Sequence, residues 1–343
     1  MDERKSTDPV SALRRIAFLL ERTRAETYKV RAFRSAAATL LTLSPDEVRA
    51  RAAQGTLQEL PGIGRSTEKV VREALGGSTP SYLLRLEETA GPLADSGREL
   101  RGMLRGDLHL HSDWSDGGSP IEEMAMTAIE VGHEYICLSD HSPRLTVANG
   151  LSAERLSRQL DVLAALNGHL DGQLRILPGI EVDILDDGSL DQTEEMLARL
   201  DVVVASVHSK LRMEAPAMTR RMVAAVQNPH TNVLGHVTGR LVTGGRGTRP
   251  QSTFDAEEVF AACAAHDVAV EINSRPERRD PPDDLLALAI GSGCLFAIDS
   301  DAHAPGQLDF LDHGCARAEE LGVPVERIVN TWPVDRLLAW AAG

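Results

Sequence analysis

Hydrophobic and polar positions follow different patterns in the two parts of the chain. Up to residue 77, apolar residues recur at spacings of three and four, which is typical of amphipathic helices, as at Leu13, Ile16, Ala17 and Leu20. This pattern predicts helices at 8–22, 26–42, 45–53, 56–60 and 65–75. We therefore predict an all-helical domain over 1–77, followed by a linker over 78–102 with some helix at 81–89.

From residue 103 onward, short apolar runs alternate with longer helical stretches such as 119–131 and 152–166. The runs predict seven strands, at 104–110, 135–139, 175–183, 202–208, 232–237, 268–273 and 295–300. Strands separated by helices pair in parallel, because each helix carries the chain back to the start of the next strand. The pattern therefore predicts an α/β domain over 103–343.

Side chains that can bind metals collect where these strands end. Six of the eleven histidines and three carboxylates share this placement: His109, His111, Asp116, His141, Glu181, His208, His236, Asp301 and His303. Imidazole and carboxylate are common ligands of divalent metals. A barrel brings all its strand ends to one rim, whereas a flat doubly wound sheet has difficulty gathering nine ligands from at least six strands. The sequence therefore predicts a barrel with a multinuclear metal site, and metal-assisted hydrolysis as the reaction class.

The spacing of these residues favours a metal site over isolated rim histidines. His109 and His111 are two positions apart in a strand, so both side chains lie on one face, and Asp301 and His303 repeat this spacing. Glu181 ends a strand in the middle of the set, a position suited to a carboxylate that bridges two ions. A lone histidine at a strand end is more often a hydrogen-bonded rim residue, so the pairs carry the prediction.

Composition limits the class of protein further. The chain has 343 residues, 42% of them hydrophobic, which is enough for one large and one small domain. It has no 18-residue apolar run and no signal-peptide core near its start, which predicts a cytoplasmic protein that does not bind membranes. The four cysteines lack metal-binding spacing and are expected to be buried thiols: Cys137, Cys263, Cys294 and Cys315.

The net charge of −15 is unevenly distributed. Residues 1–77 carry 14 Lys and Arg against 10 Asp and Glu, a net of +4, and the remainder carries 22 against 41, a net of −19. Several of those acids are candidate metal ligands, so bound cations would cancel part of the local field. A mildly basic N-terminal domain on an acidic catalytic domain is compatible with DNA as a partner.

A series of short motifs carries a family resemblance. In chain order they are Asp-Leu-His-Leu-His-Ser (107–112), Ser-Asp-His (139–141), Val-His-Ser (207–209), Gly-His (235–236) and Ser-Asp-Ala-His (300–303). The series resembles the PHP (polymerase and histidinol phosphatase) phosphoesterase superfamily. Segments 146–155 and 271–280 resemble, more specifically, the PHP domain of bacterial family X DNA polymerases. The resemblance implies a distorted (β/α)7, TIM-like barrel with two or three divalent ions, Mn²⁺ or Zn²⁺, with Fe as an alternative.

The resemblance also implies how the ligands divide among the ions. It implies three groups: His109, His111, Glu181 and Asp301 for the first ion, Glu181, His208 and His236 for the second, and Asp116, His141 and His303 for the third. Glu181 and Asp301, with Arg278, are the predicted catalytic residues. Closely spaced ions would lower the pKa of a bridging water, and the resulting hydroxide would attack phosphorus in line.

Substrate phosphates also need positive partners in the protein. Arg278 matches the arginine of the family motif and is predicted to clamp a phosphate with two hydrogen bonds. Lys210 and Arg240 follow ligand-bearing strands and are weaker candidates, together with Arg246 and Arg249. Ordinary solvated loop charge is an equally good interpretation of each of these four.

Residues 60–67, Leu-Pro-Gly-Ile-Gly-Arg-Ser-Thr, resemble a helix-hairpin-helix motif. Its glycines permit a tight hairpin in which backbone amides approach a phosphate, and the next helix adds the positive end of its dipole. An ordinary turn between helices is the alternative interpretation. The predicted DNA contacts are Gly62, Gly64, Arg65, Ser66 and Lys69.

Residues 26–37 also resemble the small N-terminal domain of family X polymerases. In relatives with lyase activity the Schiff-base lysine would align with Val70, whereas the lysine here is Lys69. A shift of one residue turns a helical side chain by about 100°, so lyase activity is not expected. Only 25 residues separate the two domains and no aspartate-rich polymerase motif occurs, so polymerase activity is not expected either.

Three functions remain to be compared. The leading hypothesis is a metal-dependent DNA phosphoesterase, a 3′–5′ exonuclease or repair enzyme that acts on 3′ ends or damaged sites. The alternative enzyme is a small-molecule phosphatase of the histidinol-phosphatase type, which gives the N-terminal domain no purpose. A noncatalytic DNA-bound module is the third hypothesis, and the complete ligand set argues against it.

Overall fold

The N-terminal part of the chain is all-helical, as predicted. The structure, a computed structural model, describes residues 8–244 and 247–343. The helices of this part are α1 (Pro9–Arg22), α2 (Thr27–Leu41), α3 (Pro45–Gln54), α4 (Arg65–Leu75) and α5 (Ser81–Thr89). The helix predicted at 56–60 is a single 3₁₀ turn, Leu57–Glu59.

Local sequence signals explain where these helices begin. The Asp8 side chain accepts a hydrogen bond from the Ser11 backbone N–H at 2.9 Å and caps α1. Ser44 caps α3 in the same way, and Pro45 occupies its first position, where no backbone donor is required. The apolar side of α1 is buried against its neighbours. The compact N-terminal unit extends to Pro92, and the domain boundaries at 77 and 103 remain predictions.

The second unit, Leu93–Gly343, alternates strands and helices. Its strands are β1 (Gly106–Leu110), β2 (Tyr135–Leu138), β3 (Arg175–Asp183), β4 (Val202–Ser206), β5 (Val233–Leu234), β6 (Ala269–Asn273) and β7 (Phe296–Asp299). Its α-helices are α6 (Arg98–Met103), α7 (Ile121–Glu130), α8 (Ala153–Leu170), α9 (Glu194–Leu197), α10 (Ala215–Val226), α11 (Ala256–Ala265), α12 (Asp283–Gly291), α13 (Leu311–Glu320) and α14 (Val334–Ala341). The seven predicted strands are confirmed.

The seven strands form one parallel sheet in sequence order, β1 to β7. The sheet nearly closes into a barrel between its first and last strands. Leu110 and Ala302 form a parallel bridge there, and the His111 backbone N–H donates to the Ala302 carbonyl at 2.8 Å. The Asp299 side chain also accepts a hydrogen bond from the Leu108 backbone N–H at 2.9 Å. The predicted (β/α)7 barrel is therefore confirmed.

The barrel is covered on its outside by helices, so its strands are buried along nearly their whole length. Met222 of α10 and Phe260 of α11 belong to the same buried cluster as Val203 and Val270 of the sheet. A separate cluster joins strand residues to Trp332 and to Leu337 in the C-terminal segment. The apolar core therefore fixes the scaffold from which the polar strand ends project.

Two minor predictions can also be compared with the structure. All four cysteines are buried free thiols, as expected. Among the described residues, no helix is both long and apolar enough to cross a membrane.

Candidate metal centre

All nine predicted ligands lie at the carboxyl ends of the strands or in the loops that follow. His109 is in β1, and Glu181 is in β3, two residues before that strand ends at Asp183. The others follow their strands closely: His111 and Asp116 after β1, His141 after β2, His208 after β4, His236 after β5, and Asp301 and His303 after β7. The parallel topology explains their proximity, because strands that run the same way end on the same rim.

Glu181 lies at the centre of the cluster and contacts five imidazoles. Its Oε1 is 2.9 Å from Nε2 of His236 and 3.2 Å from Nε2 of His208. Its Oε2 is 2.8 Å from Nδ1 of His141 and 3.3 Å from Nε2 of His109, and 3.7 Å from Nε2 of His111. One buried carboxylate thus faces five imidazoles that come from the ends of four strands.

The ligand atoms form three overlapping groups, in each of which they lie within 4.8 Å of one another. The groups are His111, Asp116, His141 and His303; His109, His111 and Glu181; and His141, Glu181 and His208. His111, His141 and Glu181 therefore belong to two groups each. Asp301 and His236 lie outside all three, although Asp301 Oδ1 is 3.6 Å from His111 Nε2. The division of ligands among ions remains a prediction, and the geometry favours shared ligands.

The chemistry of these atoms fits divalent cations. Both ring nitrogens of His111, Nε2 of His109 and Oε2 of Glu181 are buried and make no hydrogen bond. A buried polar atom without a partner costs about 1–3 kcal/mol, a cost that a coordinated cation removes. Mixed imidazole and carboxylate ligands suit Zn²⁺, Mn²⁺ and Fe²⁺.

The charge states of Glu181, Asp301 and His111 favour cation binding. Burial raises the pKa of Glu181, but His208, His109 and His141 outweigh burial and hold that pKa well below its ordinary value. Asp301 is also buried, and Arg275 and Arg278 hold its pKa well below the ordinary range. Both carboxyl groups are therefore anionic. Burial, followed by His303 and His141, lowers the pKa of His111 well below its usual value, so its imidazole is neutral.

The predicted phosphate clamp, Arg278, adjoins the cluster. Its Nε donates to Oδ2 of Asp301 at 3.1 Å, while one terminal nitrogen is buried without a hydrogen-bond partner. Arg240 donates to the backbone carbonyls of Arg278 and Arg279, so its guanidinium supports the loop that carries Arg278. The Lys210 ammonium pairs with Asp186.

The two remaining arginine candidates for phosphate binding are Arg249 and Arg246. Arg249 donates to the Gly239 carbonyl at 2.7 Å. Arg246 lies outside the described residues. The roles of all these side chains in substrate binding remain predictions.

Four residues that were not assigned from the sequence also adjoin the ligands. Asp183 contacts Nδ1 of His208, and Glu271 contacts Nδ1 of His109. Asn273 donates a hydrogen bond to Asp301 at 3.1 Å, and Arg275 lies 2.9 Å from Nδ1 of His303. Strand alternation could have found one of them, because Asp183 is two positions after the predicted ligand Glu181 and so lies on the same face of the strand.

The helix-hairpin-helix segment has the expected local form. Gly62 has φ +73°, in the left-handed region, and Gly64 immediately precedes α4. Arg65, Ser66 and Lys69 are exposed in the first turns of that helix.

The lysine shift also has its expected consequence. Val70 is buried, whereas the Lys69 side chain is 65% exposed and its Nζ is 3.6 Å from Glu73. The two positions therefore face different environments, which supports leaving the lyase role unassigned.

Comparison with known proteins agrees with this architecture. A family model described as the PHP domain matches residues 107–275, and one described as a helix-hairpin-helix domain matches residues 5–78. The chain thus carries a PHP domain preceded by a helix-hairpin-helix domain.

Particular relatives differ in length and in description. The chain is 37% identical over 229 residues to the DNA polymerase/3′-5′ exonuclease PolX of Bacillus subtilis (strain 168), which covers 67% of this chain and 39% of that protein. The chain therefore spans about two fifths of that relative. A probable phosphatase of Thermoanaerobacter sp. (strain X514) is 27% identical over 236 residues, covering 66% of this chain and 89% of the relative.

Among solved structures, the chain is similar to the histidinol phosphate phosphatase of Lactococcus lactis subsp. lactis Il1403, a complex with zinc, L-histidinol and phosphate. The match has 20% sequence identity and a TM-score of 0.45, and covers 63% of this chain and 92% of that one.

Proposed function

We propose that the protein is a metal-dependent phosphoesterase that hydrolyses DNA phosphodiester or 3′-terminal phosphate bonds, as a 3′–5′ exonuclease or repair end-processing enzyme. One observation carries the proposal: three overlapping groups of imidazole and carboxylate side chains that could hold metal ions occur in the same chain as a helix-hairpin-helix domain. The similarity to a relative described as a 3′-5′ exonuclease supports the polarity. We further propose that the protein acts in the cytoplasm.

The proposed ligands are the nine residues of the cluster, with Glu181 shared between ions. Divalent ions at such a site supply a hydrolytic nucleophile at neutral pH and neutralise phosphate charge. Asp301 holds Arg278 through its Nε, which leaves the buried terminal nitrogen of Arg278 able to donate to a phosphate oxygen. The protein's part in the reaction is thus to bind the cations, to orient the phosphate and to keep the carboxylates of Glu181 and Asp301 ionised.

The exposed residues at the start of α4 and just before it are proposed to contact the DNA backbone. Gly62, Gly64, Arg65, Ser66 and Lys69 would bind phosphates without reading the base sequence. This role gives the domain an affinity that depends on salt concentration and tolerates any sequence.

The test is degradation of 5′-labelled single-stranded, recessed and abasic-site DNA with Mn²⁺, comparing wild type with His109→Ala. We expect a ladder that shortens from the 3′ end, and a rate more than about 100-fold lower in the variant, because even residues that only support a ligand change activity by 10–100-fold. His169→Ala is the matched control, since His169 is exposed on α8, away from the cluster. Equal rates for His109→Ala and wild type would contradict the proposal.

A small-molecule phosphatase is the second candidate. The observation that favours it is that probable phosphatases are matched over about nine tenths of their length. No cleavage of any DNA substrate, together with fast hydrolysis of a small phosphomonoester that His109→Ala abolishes, would replace the nuclease by this function.

A further inference from the structure

Glu271 is a buried carboxylate outside the predicted ligand set, and it touches two members of that set. It lies in β6 with no exposed surface. Its Oε1 is 2.6 Å from Nδ1 of His109, and its Oε2 accepts a hydrogen bond from the backbone N–H of His236. The Asn273 side-chain amide donates to the same Oε2 at 3.2 Å. Both carboxylate oxygens are therefore occupied by groups of the rim.

The contact with His109 determines which ring nitrogen can bind a cation. An ionised carboxylate only accepts hydrogen bonds, so Nδ1 of His109 must carry a proton. The other nitrogen, Nε2, is buried, makes no hydrogen bond and lies 3.3 Å from Oε2 of Glu181. With Nδ1 protonated, a neutral imidazole has its lone pair on Nε2, on the side of the cluster.

We propose that Glu271 is a positioning residue of the metal centre: it holds His109 in the tautomer, and in the ring orientation, that directs the Nε2 lone pair to the cation. The inference rests on the proposed metal site. Asp183 has the same relation to His208, because it contacts Nδ1 while Nε2 lies 3.2 Å from Oε1 of Glu181. Two carboxylates thus orient two imidazoles toward one bridging glutamate.

The substitution Glu271→Gln tests this role because it keeps the shape of the side chain and reverses the direction of its hydrogen bond with Nδ1 of His109. The His236 backbone N–H and the Asn273 amide both donate, so the carboxamide oxygen of glutamine must face them. Its NH₂ group then faces Nδ1 of His109 and needs an acceptor there. That arrangement selects the tautomer with a proton on Nε2, which removes the lone pair from the cluster.

The experiment titrates the metal-free wild type and variants with Mn²⁺ or Zn²⁺ in the presence of a competing chelator. We expect the Kd of Glu271→Gln to be about 10–100-fold weaker, and that of Asp183→Asn to be weakened in the same direction. Glu21→Gln is the matched control: Glu21 is a buried carboxylate of the N-terminal unit that pairs with Arg34, so its variant should keep the wild-type metal Kd. Urea unfolding of the metal-free proteins shows whether a variant has lost folding stability, so that a weaker metal Kd can be told apart from partial unfolding.

A second measurement works without any variant. Nitrogen-15 NMR of the zinc-loaded wild type should show His109 with a protonated Nδ1 and a metal-bound Nε2. The opposite assignment would overturn the inference, and so would equal metal affinity in wild type and Glu271→Gln. A wild type that takes up neither metal would overturn the proposed site itself. Uptake of metal without DNA hydrolysis would remove the nuclease proposal and leave the role of Glu271 standing.

Discussion

Histidines in this chain have opposite electrostatic environments, although their side chains are identical. Burial lowers the pKa of His109, but Glu181 and Glu271 outweigh it and raise that pKa well above its ordinary value. Within the part of the chain that the structure describes, His133 has no carboxylate partner: burial, followed by the charge of Arg101, lowers its pKa to about 3. Both ring nitrogens of His133 are buried without a hydrogen bond. Neighbouring charges therefore decide whether a buried imidazole here attracts or rejects a proton.

His133 should destabilise the protein at acid pH. Its folded-state pKa of about 3 lies below the ordinary histidine value of 6.5, so the unfolded state binds more protons between these values. Its contribution to stability is therefore full above about pH 6.5 and is lost as the pH falls toward 3. Between pH 7 and pH 5 the loss should be about 2 kcal/mol. Urea unfolding of wild type and His133→Phe at both pH values should show the smaller pH dependence in the variant, and equal dependence would contradict the assignment.

At the scale of elements, the loops after the strands decide whether the ligands meet. Arg221 of α10 is a buried guanidinium that supports two of these loops. It donates to the backbone carbonyls of Ile184 and Leu185, just after Asp183, and to the carbonyl of Ser209, just after His208. One helix side chain therefore ties together the ends of β3 and β4, where a candidate ligand and its carboxylate partner lie.

Replacing Arg221 by methionine should cost about 3 kcal/mol of unfolding free energy, because charged hydrogen bonds contribute about 1.5–3 kcal/mol each and buried carbonyls would lose their donors. We also expect weaker metal binding, through displacement of His208. Chemical denaturation and metal titration measure the two effects. Arg220→Met is the control, since Arg220 precedes Arg221 on α10 and is exposed. Unchanged stability in Arg221→Met would show that the buried guanidinium is dispensable.

At the scale of the whole molecule, charge is unevenly distributed along the chain. The helical part over 1–77 is net basic, whereas the remainder, which contains the cluster, is strongly acidic. An acidic surface repels nucleic acid, so a basic domain in the same chain would supply the affinity that a DNA substrate needs.

Removing the N-terminal unit should separate DNA affinity from catalysis. The cut belongs after Pro92 rather than after residue 77, because α5 packs against α1 within that unit. We expect the fragment 93–343 to unfold cooperatively and to keep its rate on a small phosphoester, while its affinity for labelled DNA in fluorescence anisotropy falls sharply. The full chain should show a strong salt dependence of binding that the fragment lacks. Equal DNA affinity for both proteins would remove the proposed role of the helix-hairpin-helix domain.

Strand spacing and motif order were sufficient to predict the fold and the collection of these nine side chains at the strand ends. The H-x-H pair in β1 needed only the alternation of a strand, and the repeated βα pattern needed only apolar runs of the right length. The partition of ligands was beyond those rules, because His111 and His141 each approach two groups and that sharing depends on ring orientation. Arg240 shows the same limit, since a rim charge predicted to meet substrate donates to two backbone carbonyls.

The sequence by itself determined the elements, their parallel order and the nine residues that meet at the rim, because these follow from local periodicity and from a topology that sends all strand ends to one side. The tertiary structure alone decided which carboxylates orient the imidazoles. Glu271 and His109 are 162 residues apart, and their 2.6 Å contact arises only when β6 and β1 close the same barrel. Hydrogen-bond direction and proton position depend on distances of a few tenths of an ångström between such remote groups, and no local pattern in the chain encodes them.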